Sequence, residues 1–535
     1  MKKILLVVIA LAFIGSTLTG CSSYKALDKS ITGVIDVMMW SGDGTYIEDL
    51  GNKDLAPEDL KGQNNASVYA VAKAFNAIYP NVKINVYAKS GGPGTAAEWV
   101  QEIENFKVDH GKYPDVYAAM DLPGDIARGF VADLSKFKND PLYKSFNKSI
   151  LGMMNYYGFQ AGLPQFLQPW GIFVNKALAE DYNIEVPEPN WTIDEYTDFI
   201  TSAKPEDGFY GAMDVDIDII RTGVTTIEQQ MKNYKGTGDY VNLASDEVKA
   251  LLDYVPEWAS AAVWAQNDAG NVSGDFMNAH WWWGHKMFAD NVLLTNAGDP
   301  WMMGDCANPE DPWGGSCKSS DWDIYPRPST DYQENTVGVV LDPMAVYNHC
   351  VDDADVACTT EENDKIKLAY TFVAFMAGDN AAWQARADQT FLDGTTVKSA
   401  MNDSLPFVTG DAFDEQMDIW YQPAIHNRFE DAAKMPGWHY ILEIWEKGQV
   451  WAVSDKAALW FYTENGEKKT IISEFLSLNN PEIAGATRVS PNFPNEVKAR
   501  LADWNTSANE RFLIAETALR DALKEFYGFK DSDFK

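Results

Sequence analysis

Alternating and periodic apolar positions divide the first part of the chain into five predicted elements. Residues 31–40 form an apolar run rich in Val, Ile and Met, which predicts a buried strand, and residues 82–86 alternate as a half-buried strand does. Residues 67–79 and 95–107 place apolar side chains at helical spacing, and residues 114–120 predict a third short strand. Strand, helix, strand, helix, strand is typical of a parallel sheet with helices on its faces.

The predicted strand ends indicate where a ligand would bind. In open α/β sheets the ligand crevice lies beyond the carboxyl ends of the parallel strands. We therefore expect the crevice to be bordered by residues 40–44, 90–94 and 120–121.

Two capping boxes and one long amphipathic stretch predict later helices. Thr192 with Glu195, and Thr359 with Glu362, have the spacing at which each side chain can bond the backbone of the other, so a helix is expected to begin at each pair. Apolar residues recur every three or four positions over residues 501–526, and Gly528 is a suitable residue to end that helix.

Residues 1–20 have the layout of a secretory signal peptide. Two lysines precede an apolar run over residues 4–14, which is too short to cross about 30 Å of hydrocarbon. Residues 18–21 read Leu-Thr-Gly-Cys and resemble a lipobox, the signal at which bacteria attach lipid to the cysteine and cleave before it. We expect a lipid-anchored, exported protein that begins at Cys21, with residues 21–30 as a flexible tether. The alternative is that Cys21 simply follows an ordinary cleavage site.

Charge and hydropathy narrow the classes of partner. The formal net charge is −35, and such a surface repels nucleic acid and anionic lipid. No second apolar run reaches the roughly 18 residues that a membrane span needs, so the lipid is the expected membrane contact.

Four cysteines beyond Cys21 lie in two close pairs. In an exported chain such pairs usually form disulfides, which predicts Cys306–Cys317 and Cys350–Cys358. Zinc binding is the alternative role for these cysteines, but no Cys-x-x-Cys motif or nearby His completes a set of four zinc ligands.

Six short motifs follow the signal sequence in a characteristic order. They are a first strand ending in Trp40, then residues 113–116, 162–164, 174–176, 187–195 and 372–378. Their order resembles the family 1 extracellular solute-binding proteins, the lipoprotein components of ABC sugar importers, over nearly the whole mature chain.

This resemblance implies an α/β fold of two lobes, each a sheet flanked by helices, with the ligand enclosed between them. The implied N-terminal lobe covers residues 31–160 and 326–400, and the C-terminal lobe covers residues 161–325 and 401–535. It also implies a monomer without a cofactor that binds an oligosaccharide, does not transform it, and delivers it to ABC permease subunits. The inserted residues 306–317 depart from the pattern, and the chain length is similar to that of larger oligosaccharide and uronate binders, so the sugar is left open.

Tryptophan is the most conspicuous candidate for ligand binding, with 19 residues in the chain and a run over residues 281–283. Flat indole faces stack on the apolar faces of pyranose rings, while carboxylates, amides and arginines bond the hydroxyl groups. Most of these tryptophans are equally well explained as core. Position in the family pattern indicates seven ligand-binding candidates: Trp40, Asp43, Asp121, Trp170, Trp282, Trp301 and Trp438. Arg327 is a further candidate, as a hinge or ligand residue, and the alternative is a solvated arginine beside prolines.

Other functions stay open as alternatives. The same aromatic residues could box a quaternary amine, or bind a peptide, and the many acidic residues leave an exported glycosidase possible. A surface lipoprotein without a ligand is a further possibility. His280 and His285 lack the spacing of a zinc protease, and the Gly-x-Ser-x-Gly motif of a serine hydrolase is absent. Structural calcium is conceivable because acidic residues surround the first cysteine pair: Asp299, Asp305, Glu310, Asp311, Asp321 and Asp323.

Overall fold

A computed structural model of the chain describes residues 24–213, 240–263, 272–298, 321–350 and 358–534, apart from short internal stretches at 395, 425, 453–455, 460, 473–474, 476–479, 481 and 484–487. The predicted lipidation site Cys21 and the candidate Trp301 lie outside the described residues, as does the predicted Cys306–Cys317 disulfide. Four of the six acidic residues considered for calcium also lie outside them, so that site stays a prediction.

The strands are numbered along the chain. They are β1 (Gly33–Gly42), β2 (Tyr46–Ile47), β3 (Val82–Ser90), β4 (Val116–Ala118), β5 (Asn155–Tyr156), β6 (Phe159–Gln160), β7 (Leu163–Val174), β8 (Thr295–Gly298), β9 (Asp323–Tyr325), β10 (Val337–Val346), β11 (Thr390–Asp393), β12 (Thr396–Ser399), β13 (Val450–Ala452), β14 (Phe461–Glu464) and β15 (Glu467–Thr470).

The α-helices are numbered in the same way. They are α1 (Gln63–Ile78), α2 (Ala96–His110), α3 (Leu122–Ala127), α4 (Pro141–Ser145), α5 (Lys148–Met153), α6 (Lys176–Asp181), α7 (Ile193–Thr201), α8 (Asp246–Ala261), α9 (Gly274–Ala279), α10 (Gly284–Ala289), α11 (Thr360–Gly378), α12 (Asn380–Asp388), α13 (Asp411–Trp420), α14 (Pro436–Glu446), α15 (Phe493–Lys498) and α16 (Leu501–Tyr527). Short 3₁₀ helices cover Leu50–Asn52, Pro57–Asp59, Leu134–Phe137, Pro205–Asp207, Asn427–Glu430 and Asp531–Phe534. Within the described residues, no helix combines the length and the apolar character that crossing a membrane requires.

The predicted parallel sheet at the start of the chain is confirmed. β1 pairs in parallel with β3, where Val37 lies opposite Val86, and with β4, where Val37 lies opposite Val116. Residues 35–40 of β1 are all buried, as expected of a central strand covered by helices, and both α1 and α11 contact it. The carboxyl ends of β1, β3 and β4 therefore meet at one edge of the sheet.

Two long strands, β7 and β10, connect this sheet to a second group of strands. β10 is antiparallel to β4, with Val346 opposite Val116, and also antiparallel to β7. β7 continues into pairs with β8, where Val174 lies opposite Thr295, and with β9. The strand order is β2-β3-β1-β4-β10-β7-β8, with β13 beside β10 and β9 beside β7. We call the region around β1–β4 the first lobe, the region around β8 and β9 the second lobe, and β7 and β10 the crossing strands.

The last long helix, α16, contacts both lobes. In the second lobe, Asn509 Oδ1 accepts a hydrogen bond from the Val241 N–H at 3.0 Å, and Asn505 Oδ1 accepts one from the Leu243 N–H at 2.8 Å. In the first lobe, the Tyr157 hydroxyl donates to the Glu516 carboxylate on the same helix. A helix of 27 residues is therefore attached to both lobes. The residue boundaries of the two lobes stay predictions.

Helix capping follows the sequence prediction. The Thr192 and Thr359 hydroxyls each accept a hydrogen bond from the backbone N–H three residues on, and Glu195 and Glu362 bond back to the backbone N–H of the threonine. A third capping box of the same kind, which the sequence analysis missed, begins α2 at Thr95. α16 ends at Gly528, whose φ of 70° is the left-handed conformation that favours glycine.

The predicted Cys350–Cys358 disulfide is present in the structure. These two sulfurs and a Glu362 carboxylate oxygen lie within 4.8 Å of one another, the one such grouping of potential metal ligands in the described part of the chain. Because the sulfurs are joined to each other, they are not available as thiolate ligands.

Close packing where β7 passes β9 yields a stability prediction. A Cβ on Gly171 would lie 2.2 Å from Ile324 Cγ2 and 2.9 Å from the Tyr325 carbonyl oxygen. We predict that Gly171→Ala lowers the free energy of unfolding by about 1–3 kcal/mol, because β9 must move to make room. Urea unfolding measures the change. Gly152→Ala in α5 is the matched control, since a Cβ there meets nothing within 4 Å; equal losses in the two variants would contradict the prediction.

Candidate functional site

The carboxyl end of β1 presents Trp40 at the edge of the first-lobe sheet. Its indole is 6% exposed and packs edge-to-face on Trp99, with the ring centroids 5.4 Å apart. Trp99 is itself fixed, because its Nε1 donates to the Ala118 carbonyl at the end of β4. The sheet edge is thus held by aromatic packing and one side-chain hydrogen bond to the backbone.

A segment from late in the chain lies over this edge. The Leu122 N–H donates to the Lys456 carbonyl at 2.8 Å, and Lys456 Nζ lies 5.2 Å from the centroid of a Trp40 ring. The same ammonium pairs with the Asp342 carboxylate of β10. Lys456 therefore connects the end of β1, the start of α3 and a crossing strand.

Asp121 is bound by a second lysine of the same late segment. Its Oδ1 accepts from the Gly124 N–H at 3.1 Å, which caps α3, and its carboxylate pairs with Lys468 of β15. The Lys468 ammonium also lies 4.3 Å from the centroid of the Phe461 ring in β14. The β14–β15 hairpin is therefore tied to the first lobe through one carboxylate.

These elements enclose a cavity of about 470 Å³. Four elements form its walls: the amino-terminal end of α2, helix α3, the β14–β15 hairpin with the chain before it, and the middle of α16. The lining is mostly apolar with a few polar groups, the composition usual in sites for small organic ligands. It consists of Ala96, Ala97, Val100, Asp121, Pro123, Gly124, Ala127, Arg128, Ala458, Leu459, Phe461, Tyr462, Thr463, Lys468, Ile514, Ala515, Ala518 and Leu519.

A buried carboxyl group lies beside the cavity. Asp125 in α3 is 3% exposed, and its burial raises the pKa of the carboxyl to about 7, against the smaller opposing effect of Arg128. Arg128, which lines the cavity, donates a hydrogen bond from its Nη2 to this carboxyl group. The protonation state of Asp125 therefore sets the local charge next to Arg128.

A buried amide in the crossing strands adds hydrogen-bonding capacity near the same edge. Gln165 of β7 is 5% exposed, and neither its Oε1 nor its Nε2 has a hydrogen-bond partner within the described residues. Its neighbour Phe166 lies opposite Asp342, the carboxylate that Lys456 binds. Since buried polar groups are normally hydrogen-bonded, Gln165 is a candidate to bond a polar ligand.

The seven candidates from sequence are distributed unevenly. Trp40 and Asp121 lie close to the late segment at the first-lobe edge, as described above. Asp43 lies beyond the end of β1 and is exposed, with Oδ1 accepting from the Thr45 hydroxyl at 2.6 Å. Trp170 lies partly buried in β7, opposite Gly338 of β10. Trp301 lies outside the described residues.

The two remaining candidates of the second lobe differ sharply in exposure. Trp282 is 52% exposed at the end of α9 and does not line the cavity. Trp438 in α14 is fully buried and stacks on Trp420, with centroids 5.4 Å apart. Arg327 is also buried, and its backbone forms a β-bridge with Thr336 just before β10. The alternative that it is a solvated arginine beside prolines is therefore wrong.

Sequence reasoning missed the lysines and the hairpin of the late segment. Lys456 has no basic neighbour and Lys468 has only Lys469 beside it in a strongly acidic chain. Their partners Asp342 and Asp121 are far away in sequence. The Asn465-Gly466 pair, the residues that a two-residue hairpin turn favours, was the available signal for the hairpin over residues 461–470.

The raised pKa of Asp125 predicts a pH dependence of stability. The folded state holds this proton up to about pH 7, whereas an unfolded aspartate has a pKa near 3.9. The stabilisation is therefore complete below about pH 4 and is lost as the pH rises toward 7, by at most about 4 kcal/mol. We predict that Asp125→Asn removes this decline. The free energy of unfolding of wild type and variant, measured across this range, checks the difference in slope.

The matched control for that measurement is Asp43→Asn, at an exposed carboxylate. Its free energy of unfolding should follow the wild-type curve. A decline with rising pH that is as steep in Asp125→Asn as in wild type would contradict the assignment to Asp125.

Comparison with known proteins rests on structure alone. No family model matches the sequence, and no curated protein matches it. Solved structures do match nearly the whole chain. An ABC substrate-binding protein from Listeria monocytogenes in complex with cycloalternan has a TM-score of 0.50 at 14% identity, over 94% of this chain and 100% of that one.

Two further structures agree. A cyclic alpha-maltosyl-1,6-maltose binding protein from Arthrobacter globiformis has a TM-score of 0.50 at 15% identity, over 92% of this chain and 99% of that one. A sugar transporter protein from Rhizobium etli in an open conformation has a TM-score of 0.50 at 15% identity, over 91% and 99%. The chain therefore has the two-lobed α/β fold of the solute-binding proteins of ABC importers, as the sequence predicted.

Proposed function

We propose that this chain is a family 1 extracellular solute-binding protein that captures an oligosaccharide between its two lobes and delivers it, unmodified, to an ABC importer. The observation that carries the proposal is the pair of crossing strands, which joins two lobes beside a cavity at the carboxyl edge of the first-lobe sheet. Proteins of the same fold from three genera are described by their sugar ligands or as a sugar transporter, which supports the choice of ligand class.

The connection between the lobes supports a closing motion. Strands that pass from one lobe to the other can bend while their hydrogen-bonded pairs stay intact, so the lobes can rotate with little repacking. A ligand drives closure only when it contacts both lobes, because it must bind the closed state more tightly than the open one. Helix α16, which also contacts both lobes, would have to move with them.

The chemistry of the first-lobe site suits a sugar. Apolar lining such as Phe461 and Leu459 accommodates the C–H faces of a pyranose ring, and the charged groups Asp121 and Lys468 can bond its hydroxyls. Each charged group already has its partner in this structure. A hydroxyl can accept from the ammonium and donate to the carboxylate at once, so a sugar can bind without leaving either charge unpaired.

A panel of oligosaccharides tests the function. A ligand that binds only the folded state raises the thermal midpoint, and calorimetry then gives the affinity. We predict that Lys468→Ala lowers the affinity for the sugar by about tenfold, which corresponds to about 1.4 kcal/mol of binding free energy lost with the hydrogen bond. Lys469→Ala is the matched control on the same hairpin, since Lys469 is paired with Glu464 and does not line the cavity.

Several outcomes would contradict the proposal. Hydrolysis of the glycans on incubation would identify a glycosidase, and binding of peptides or quaternary amines alone would identify a different solute. Equal affinities of Lys468→Ala and Lys469→Ala would remove the first-lobe cavity as the site.

The proposal includes attachment to the membrane by lipid on Cys21, as a monomer whose partners are ABC permease subunits. We predict that Cys21→Ala moves the protein from the membrane fraction to the soluble fraction, because the lipid supplies the affinity for the bilayer. Fractionation followed by immunoblotting measures this, with Ser22→Ala as the control that should stay at the membrane. Retention of the Cys21→Ala variant would show another means of attachment.

A further inference from the structure

Two adjacent tryptophans are exposed on the second lobe, away from the first-lobe cavity. Trp281 is 48% exposed and Trp282 is 52% exposed, and neither lines that cavity. By contrast, Trp99, Trp191 and Trp258 are almost completely buried. Exposing large apolar side chains side by side costs solvation free energy, and such patches mark interaction sites.

The backbone at this pair is in a conformation that favours glycine. Trp281 has φ 56° and Trp282 has φ 55°, in the left-handed region that non-glycine residues rarely adopt. The hydrogen bonds from the Trp282 N–H to the Met277 carbonyl, at 2.8 Å, and from the Trp281 N–H to the Asn278 carbonyl, at 3.2 Å, form the Schellman motif that ends α9. Helices α2 and α16 of this chain are followed by Gly111 and Gly528 in the left-handed conformation.

Trp281 therefore occupies the position in which other helices of this chain have glycine, or have Asn183 after α6 and Asn291 after α10. The strain of two consecutive left-handed tryptophans persists only because the surrounding structure holds them, and such strain is typical of functional sites. Stability alone would favour glycine at the first of the two positions.

Both indoles are held in place by neighbouring side chains. Trp282 Nε1 donates to Asn278 Oδ1 at 2.8 Å, which satisfies its one polar atom. Lys286 Nζ lies 5.2 Å from the centroid of a Trp281 ring, and its ammonium is fixed by Asp290 at 2.5 Å. Preorganised aromatic faces bind with little loss of conformational entropy.

The tryptophan pair lies just before residues that pack against β8, which pairs with the crossing strand β7. Gly284, two residues after Trp282, packs against Asn296 of β8. Asn296 lies opposite Phe173 of β7, and Gly298 at the end of β8 lies opposite Gly171, next to Trp170. The pair therefore belongs to the part of the second lobe built on the β8 edge of the crossing strand.

The chemistry of this surface favours a neutral, polyhydroxylated ligand. The exposed Asp275 and the formal charge of −35 disfavour an anionic membrane surface. Flat indole faces complement the apolar C–H faces of pyranose rings, and the exposed Asn278 beside them can bond hydroxyls.

We propose that Trp281 and Trp282 form a second carbohydrate-binding surface, which stacks on pyranose units of a neutral glycan that extend beyond the portion enclosed between the lobes. This second surface deepens the proposed function. It depends on that function only for the part of the glycan that is enclosed between the lobes. The surface makes long chains bind more tightly than short ones and gives the protein affinity for neutral polysaccharide on its own.

The test compares Trp281→Gly, Trp282→Gly and the double variant with wild type, using the full chain. Calorimetry with a series of oligosaccharides of increasing length should show affinity for the longest lower by about tenfold in the double variant, with affinity for the shortest unchanged. The thermal midpoint without ligand should stay the same or rise in Trp281→Gly, because glycine relieves the left-handed strain. Tyr332→Ala, which removes another exposed aromatic side chain, is the control and should bind every length as wild type does.

A second readout separates this inference from the proposed function. Native gels cast with soluble starch, dextran or xylan should retard wild type and the Tyr332→Ala control equally in at least one polysaccharide, and the double tryptophan variant should not be retarded. Retardation without any oligosaccharide-induced thermal shift would support the tryptophan surface while rejecting capture between the lobes. Equal mobility of wild type and the double variant in every gel, or a fall in the thermal midpoint of Trp281→Gly, would overturn the inference.

Discussion

The antiparallel pairing of β7 with β10 is the constraint on which the rest of the structure depends. Each of these strands must satisfy its backbone hydrogen bonds in two lobes, since an unpaired buried N–H or carbonyl group is costly. β10 does so by pairing with β4 and β7, and β7 by pairing with β10, β8 and β9. Any motion between the lobes must therefore bend these strands rather than separate them. The close contact of Gly171 with Ile324 and Tyr325 shows how little room there is for side chains where β7 passes β9.

The first-lobe site is a consequence of that topology. Parallel pairing brings the ends of β1, β3 and β4 to one edge, and the antiparallel β10 places Asp342 near the same edge. The late segment then returns with Lys456 and Lys468 and neutralises the carboxylates that gather there. In a chain with a net charge of −35, these two lysines limit the repulsion between carboxylates at a partly buried surface.

Much of the fold was predictable from sequence because its signals are local. The strand and helix patterns of the first 120 residues, the capping boxes at Thr192 and Thr359, and the end of α16 at Gly528 each depend on residues a few positions apart. The site depends on contacts between distant segments. Lys468 meets Asp121 across 347 positions, and no periodicity records such a pairing. Trp40 and Asp121 became candidates through their positions in the family pattern, at strand ends that can be read locally. The residues that surround them in the structure gave no such local signal.

The tryptophans show why composition alone could not define the site. An indole is large enough to serve as core and flat enough to serve as a sugar platform, so the same residue type supports both interpretations. Trp438 stacks on Trp420 inside the protein, and Trp322 packs against the Arg428 guanidinium, whose carbon lies 3.5 Å from its ring centroid. Only burial and backbone conformation separate these from Trp281 and Trp282, and both properties are set by tertiary structure. A tryptophan that is buried in a relaxed conformation is explained by packing, whereas one that is exposed in a strained conformation lowers stability twice, and selection for a ligand accounts for its retention.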